Sequence, residues 1–181
     1  MATQTAVHPA LSKVLLDEAT ISARIKELGA QITRDYAGKR LVVVGVLKGS
    51  VIFLADLLRA IGPEVDVETD FVAVSSYAGT ASTGAIRTLL DLRQSPEGKD
   101  LLLIEDIVDT GLTLTALTET LRAHRPRSLE VCTLLDKTEC RKVPFTPKYV
   151  GFKIPNEFVV GFGLDYDERY RQLPCVGVLK I

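Results

Sequence analysis

The chain predicts an α/β fold: a central, mainly parallel sheet flanked by helices, with a small hood built from its N- and C-terminal segments. Three observations carry this expectation. Apolar runs such as Leu41-Val42-Val43-Val44 and Leu101-Leu102-Leu103-Ile104 lack alternation, as strands covered on both faces do. Segments with helical period alternate with these runs through the first two-thirds of the chain, the pattern of βα units and a parallel sheet. Each of the two runs also feeds a polar, glycine-containing turn that opens a helix, the arrangement in which α/β proteins place ligands beyond the strand ends.

Element by element, Ile21, Ile25, Leu28, Ile32 and Tyr36 mark one face of an amphipathic helix that stops near Ala37-Gly38. Residues 41–47 are a strand, Lys48-Gly49-Ser50 a turn, and 51–61 a helix stopped by Gly62-Pro63. Residues 65–74 alternate as a strand with one more polar face. Residues 75–84 are small and polar, 85–92 return as a strand, and Ser95-Pro96-Glu97-Gly98 turns the chain. A buried strand follows over 101–105, then a helix from about 110 to 124 with Leu114, Leu117 and Leu121 inward, and a strand over 128–135. Short strands are expected at 149–154, 158–162 and 176–179. The whole chain, 1–181, reads as one domain, with a core of about 37–145 and a hood from about 1–20 and 146–181.

Bulk properties narrow the function. The chain has 181 residues, 46% hydrophobic and 25% charged, ordinary for a globular domain with a sizeable core. A formal net charge of −1 without a basic stretch argues against nucleic-acid binding. Cys132, Cys140 and Cys175 are widely spaced, and neither they nor His8 and His124 form a zinc-ligand pattern, so reduced thiols in a cytoplasmic protein are expected. The first ten residues lack the apolar core of a signal peptide, and the longest apolar stretch is broken by Asp56 and Arg59, so no membrane association is expected.

The most informative segment runs from Leu101 to Thr113. Four apolar residues meet Glu105 and Asp106, then Asp109 and a Thr110-Gly111-Leu112-Thr113 turn. Backbone amides and two hydroxyls at a helix start suit a phosphate. Carboxylates beside it would repel that anion unless a divalent metal or sugar hydroxyls stand between them. The segment therefore points to a phosphorylated ribose with Mg²⁺. Taken singly, each acid is equally well a strand-end surface residue or a helix cap.

Residues 104–111 resemble the phosphoribosyl pyrophosphate motif of the type I phosphoribosyltransferases. Val46-Leu47-Lys48-Gly49-Ser50, Ser76-Tyr77, Leu135-Asp136-Lys137 and the tail from Gly151 to Tyr166 narrow the resemblance to the bacterial-type hypoxanthine(-guanine) phosphoribosyltransferase family, over residues 14–180. The resemblance implies the type I fold and a purine-salvage reaction. In it, the phosphoribosyl group of 5-phosphoribosyl 1-pyrophosphate passes to N9 of hypoxanthine or guanine, giving IMP or GMP and pyrophosphate, with Mg²⁺ as cofactor and a homodimer or homotetramer as the assembly.

It also implies residue roles. Glu105 and Asp106 meet the ribose hydroxyls and the metal, Asp109 is the general base near purine N7, and Thr110, Gly111, Leu112 and Thr113 surround the 5′-phosphate. Leu112 departs from relatives that carry lysine there, so the phosphate must lean on amides and the helix dipole. Lys48 and Gly49 form a pyrophosphate loop, in which relatives often have a cis peptide before the lysine. Arg171 is a second pyrophosphate contact, and Asp165 a ligand of a second Mg²⁺. Lys137 selects the base by donating to O6, Phe158 stacks on the purine, and Val159 offers its backbone. Ser76 and Tyr77 belong to a lid over 75–84. Related transferases that use xanthine, and a regulatory relative that binds RNA, are the competing readings.

Overall fold

A computed structural model describes residues 8–76 and 86–180. The apolar run after the first helix forms β2 (Arg40–Leu47), at the middle of a six-stranded sheet. On one side of β2 lie β3 (Asp66–Ser76) and β4 (Ile86–Leu90). On the other lie β5 (Asp100–Val108), β6 (Ser128–Asp136) and β7 (Tyr149–Lys153). The order is β4-β3-β2-β5-β6-β7, parallel except for β4, which returns antiparallel to β3. The expected mainly parallel sheet is present.

The lack of alternation in β2 has a direct cause. Leu41 and Val43 enter one core with Ile21, Leu28 and Ile32 of α1 (Glu18–Tyr36) and Phe53 and Leu57 of α2 (Val51–Ala60). Val42, Val44 and Val46 enter a second core, on the other face, with Leu114, Leu117 and Leu121 of α3 (Leu112–Ala123). Neither face of the strand meets water, so neither tolerates polar residues. Each such side chain stabilises the fold by about 1.5–3 kcal/mol on burial. Asp17 caps α1 by accepting a hydrogen bond from the Thr20 amide at 2.7 Å.

Over the sheet edge sits a second sheet of three strands, in which β9 (Val176–Leu179) pairs antiparallel with both β1 (Leu11–Leu16) and β8 (Val159–Val160). This is the hood, and β1 is an element the sequence pattern did not announce. Tyr149–Lys153 belongs to the main sheet rather than to the hood, because it pairs in parallel with β6.

Two boundaries bear on chemistry. The strand expected to end at residue 105 continues to Val108, so Glu105 and Asp106 lie within β5 and not beyond it. The helix expected from residue 110 starts at Leu112, with Gly111, which has no side chain to cap with, at its N-cap.

Candidate active site

Parallel pairing of β2 with β5 ends at Gly45 and Ile104, while β5 stays paired with β6 as far as Val108 and Asp136. β2 and β5 therefore part where Glu105 begins, and the order of connections reverses between the same two strands. Such a point opens a crevice beyond the carboxyl ends of the strands. Extra polar residues are tolerated in β5 there because one of its neighbours has left.

The turn after β2 forms one wall. Leu47–Lys48 is a cis peptide. The Ser50 hydroxyl, fully buried, donates to the Val46 carbonyl at 2.7 Å and ties the turn to its strand. Gly49 lies against Asp106 so closely that a Cβ would fall 1.7 Å from a carboxylate oxygen. From the tail, Gly163 (φ +100°) comes against the Gly49 carbonyl, 2.0 Å from where its own Cβ would be. Only glycine permits this three-way approach of turn, strand and tail.

Glu105 and Asp106 are adjacent carboxylates. Burial pushes the Glu105 carboxyl well above its usual range, and the neighbouring Asp106 charge adds to the shift. Asp106 accepts from the Ile107 amide at 2.8 Å. An adjacent pair of acids of this kind fits a divalent cation, since Mg²⁺ is held through one or two carboxylates with waters and substrate oxygens completing its shell. Asp165 stands apart from the pair, bonded to Arg171 at 2.9 Å, and no group of three metal-ligating side chains occurs among the described residues.

Beyond β5 the chain turns through exposed Asp109, Thr110 and Gly111 (φ +82°), and the Thr110 hydroxyl accepts from the Leu112 amide at 3.4 Å. A cavity of about 180 Å³ lies here, lined by Glu105, Asp109, Thr110, Gly111 and Thr113 among others. Leu112 starts the helix, so no cation of its own stands at that position.

Residues 12–167 match the phosphoribosyl transferase domain. The hypoxanthine-guanine phosphoribosyltransferase of Staphylococcus aureus strain Mu50 is 53% identical over 175 residues, 96% of this chain and 97% of its own length. The chain belongs to the hypoxanthine-guanine phosphoribosyltransferase family. The crystal structure of a hypoxanthine phosphoribosyltransferase from S. aureus superposes with a TM-score of 0.93 at 52% identity, covering 98% of this chain and 96% of its own. A Trypanosoma cruzi hypoxanthine phosphoribosyl transferase, studied for the role of its C-terminal region in oligomeric state and enzymatic activity, gives 0.91 at 46% identity, covering 96% of this chain and 93% of its own.

Most of the remaining expected residues lie on the segment after β6 and on the tail. Lys137 follows β6, is only 7% exposed, and donates its amide to the Val108 carbonyl at 2.9 Å. Phe158 is 44% exposed and meets Tyr166 edge-on with centroids 5.6 Å apart, so it is a presented aromatic and not a core one. Val159 is buried in β8, and Leu179 donates its amide to the Phe158 carbonyl at 3.1 Å. Arg171 donates to the Gly163 carbonyl at 2.7 Å, next to the Gly49 contact. Ser76 ends β3, while Tyr77 and most of the lid expected over 75–84 lie outside the described residues.

Sequence reading passed over Arg141, Asp136 and Glu168. The Arg141 guanidinium donates to the carbonyls of Val108 at 2.9 Å and Phe145 at 3.1 Å, to that of Asp109, and to the buried Asp136 carboxylate. Lys142 adds an amide bond to the Thr110 carbonyl at 3.0 Å. The turn carrying Asp109 and the segment following Lys137 are thereby one braced unit. Arg141 gave no local signal because its partners are spread over residues 108–145.

Proposed function

We propose that this chain transfers the phosphoribosyl group of 5-phosphoribosyl 1-pyrophosphate to N9 of hypoxanthine or guanine, forming IMP or GMP and releasing pyrophosphate. The observation that supports the reading is the opening between β2 and β5, where paired carboxylates meet the turn at Thr110 and Gly111, with the buried Lys137 bonded by its amide to the Val108 carbonyl at the same strand end.

The 5′-phosphate sits on the amides and hydroxyls of Thr110, Gly111 and Thr113, at the positive end of α3. Glu105 and Asp106 accept from the ribose hydroxyls and set negative charge beside a ring that becomes positive as its bond to pyrophosphate breaks. Glu105 and Asp106, with Asp165 on the pyrophosphate side, would hold Mg²⁺, which would neutralise charge on the diphosphate. Lys48, the Gly49 backbone and Arg171 bind the leaving diphosphate. Lys137 donates to O6 of the base, Phe158 stacks on its ring, the Val159 backbone meets its edge, and Asp109 takes the proton from N7 as N9 bonds to C1 of the ribose. Ser76 and Tyr77 close over the centre and exclude water. The enzyme works in the cytoplasm as a homodimer or homotetramer; no helix among the described residues is long and apolar enough to cross a membrane.

A spectrophotometric assay with Mg²⁺, 5-phosphoribosyl 1-pyrophosphate and hypoxanthine, guanine, xanthine or adenine in parallel tests this reading. Turnover of hypoxanthine or guanine is expected, and Asp109→Asn should lower kcat by about 10²–10⁴-fold, the usual contribution of a general base. Turnover of adenine alone would overturn the role given to Lys137, and turnover of xanthine alone would overturn the assignment of hypoxanthine or guanine as substrate.

A further inference from the structure

Glu168 lies between the two cations that face the diphosphate. Its carboxylate is 3.1 Å from Lys48 Nζ through one oxygen and 3.2 Å from Arg171 Nη2 through the other. We propose that Glu168 is a resident anion of the pyrophosphate subsite, which pairs Lys48 with Arg171 between turnovers and gives way as a diphosphate enters. The inference rests on the function proposed above.

The loop that carries Glu168 aims it there. Asp167, Glu168 and Tyr170 all take left-handed backbone conformations, at φ +52°, +59° and +77°, which non-glycine residues rarely adopt. The Glu168 amide donates to Asp165 at 2.9 Å, and Tyr166 and Arg169 exchange backbone bonds of 3.2 and 3.1 Å across the turn. Arg171 does not depend on Glu168 for its position, because Gly163 and Asp165 hold it at 2.7 and 2.9 Å. Its Nε is buried and has no hydrogen-bond partner, a donor open to a further acceptor.

Competition then favours the substrate. A diphosphate brings more charge and more acceptor oxygens to these donors than one carboxylate does. The Glu168 and Lys48 side chains are 64% and 68% exposed, so their pairing is weak and readily exchanged. Glu168 would thus keep the cations satisfied without binding them tightly, and its return would assist departure of pyrophosphate.

Binding of inorganic pyrophosphate with Mg²⁺ to the full chain, measured by calorimetry, tests this in Glu168→Gln and Glu168→Asp. The glutamine variant should bind pyrophosphate roughly 3- to 10-fold more tightly, the scale of losing weak exposed ion pairs. Its KM for 5-phosphoribosyl 1-pyrophosphate should fall while the KM for the base stays put. The gain should shrink at high salt, and the aspartate variant should return toward the parent. Unchanged or weaker pyrophosphate binding in a folded Glu168→Gln, judged by its thermal melt, overturns the resident-anion role. Parent turnover alongside that result leaves the proposed function standing, whereas a parent that turns over no purine overturns both.

Discussion

The base-selecting role proposed for Lys137 depends on the surroundings of that one residue. A solvated lysine would discriminate poorly, because water replaces any lost partner. This one is 7% exposed, with its backbone fixed on Val108, so a base that presents no acceptor would leave a largely buried side chain without its partner. Lys137→Gln should lower kcat/KM for hypoxanthine by roughly 10- to 100-fold, the worth of a hydrogen bond to a charged group. Steady-state kinetics with hypoxanthine and adenine check it, and equal losses for both bases would deny Lys137 a selecting role. Glu105 is governed by the same physics with opposite sign: burial and Asp106 raise its carboxyl, so the ionised pair is costly until a cation joins it.

Between elements, the brace from Arg141 is the most consequential contact. The side chains of Arg141 and Asp136 are 14% and 5% exposed, so removing the arginine strands a buried carboxylate and several carbonyls. Arg141→Met should cost about 3–5 kcal/mol of stability, the penalty for breaking a buried ion pair from one side. Urea unfolding measures it, and a loss below 1 kcal/mol would mean the brace is dispensable. This contact also marks the limit of what sequence makes legible. Strand, turn and helix are local, so the run from Leu101 to Thr113 announced that succession of elements directly. Arg141 and Glu168 act on partners distant in the chain, and β1 pairs Leu11 with Leu179, a register no local pattern encodes. The extension of β5 through Glu105 and Asp106 was hidden for a related reason: acids are tolerated in that strand only because β2 has turned away from it.

For the molecule as a whole, the end of the sheet opposite the crevice sets the response to acid. Asp100 is buried and bonded to Arg127 and Ser128, and the Arg127 guanidinium holds its carboxyl below the usual carboxylate range. A carboxylate depressed on folding stabilises the native state above its unfolded value of about 3.9, and that contribution disappears as pH falls through the lower native value. Thermal melts from pH 6 to pH 2 should show the parent losing stability more steeply below pH 4 than Asp100→Asn does; parallel curves would rule the pair out as a source of acid sensitivity. The meeting of Gly49, Asp106 and Gly163 has a consequence in time as well as in space. Synthesis runs from the N-terminus, so the phosphate turn leaves the ribosome more than fifty residues ahead of the segment that closes against Gly49. A nascent chain can shape the turn at Thr110 and Gly111 early, whereas the packing of Gly163 against Gly49 waits for the tail to emerge.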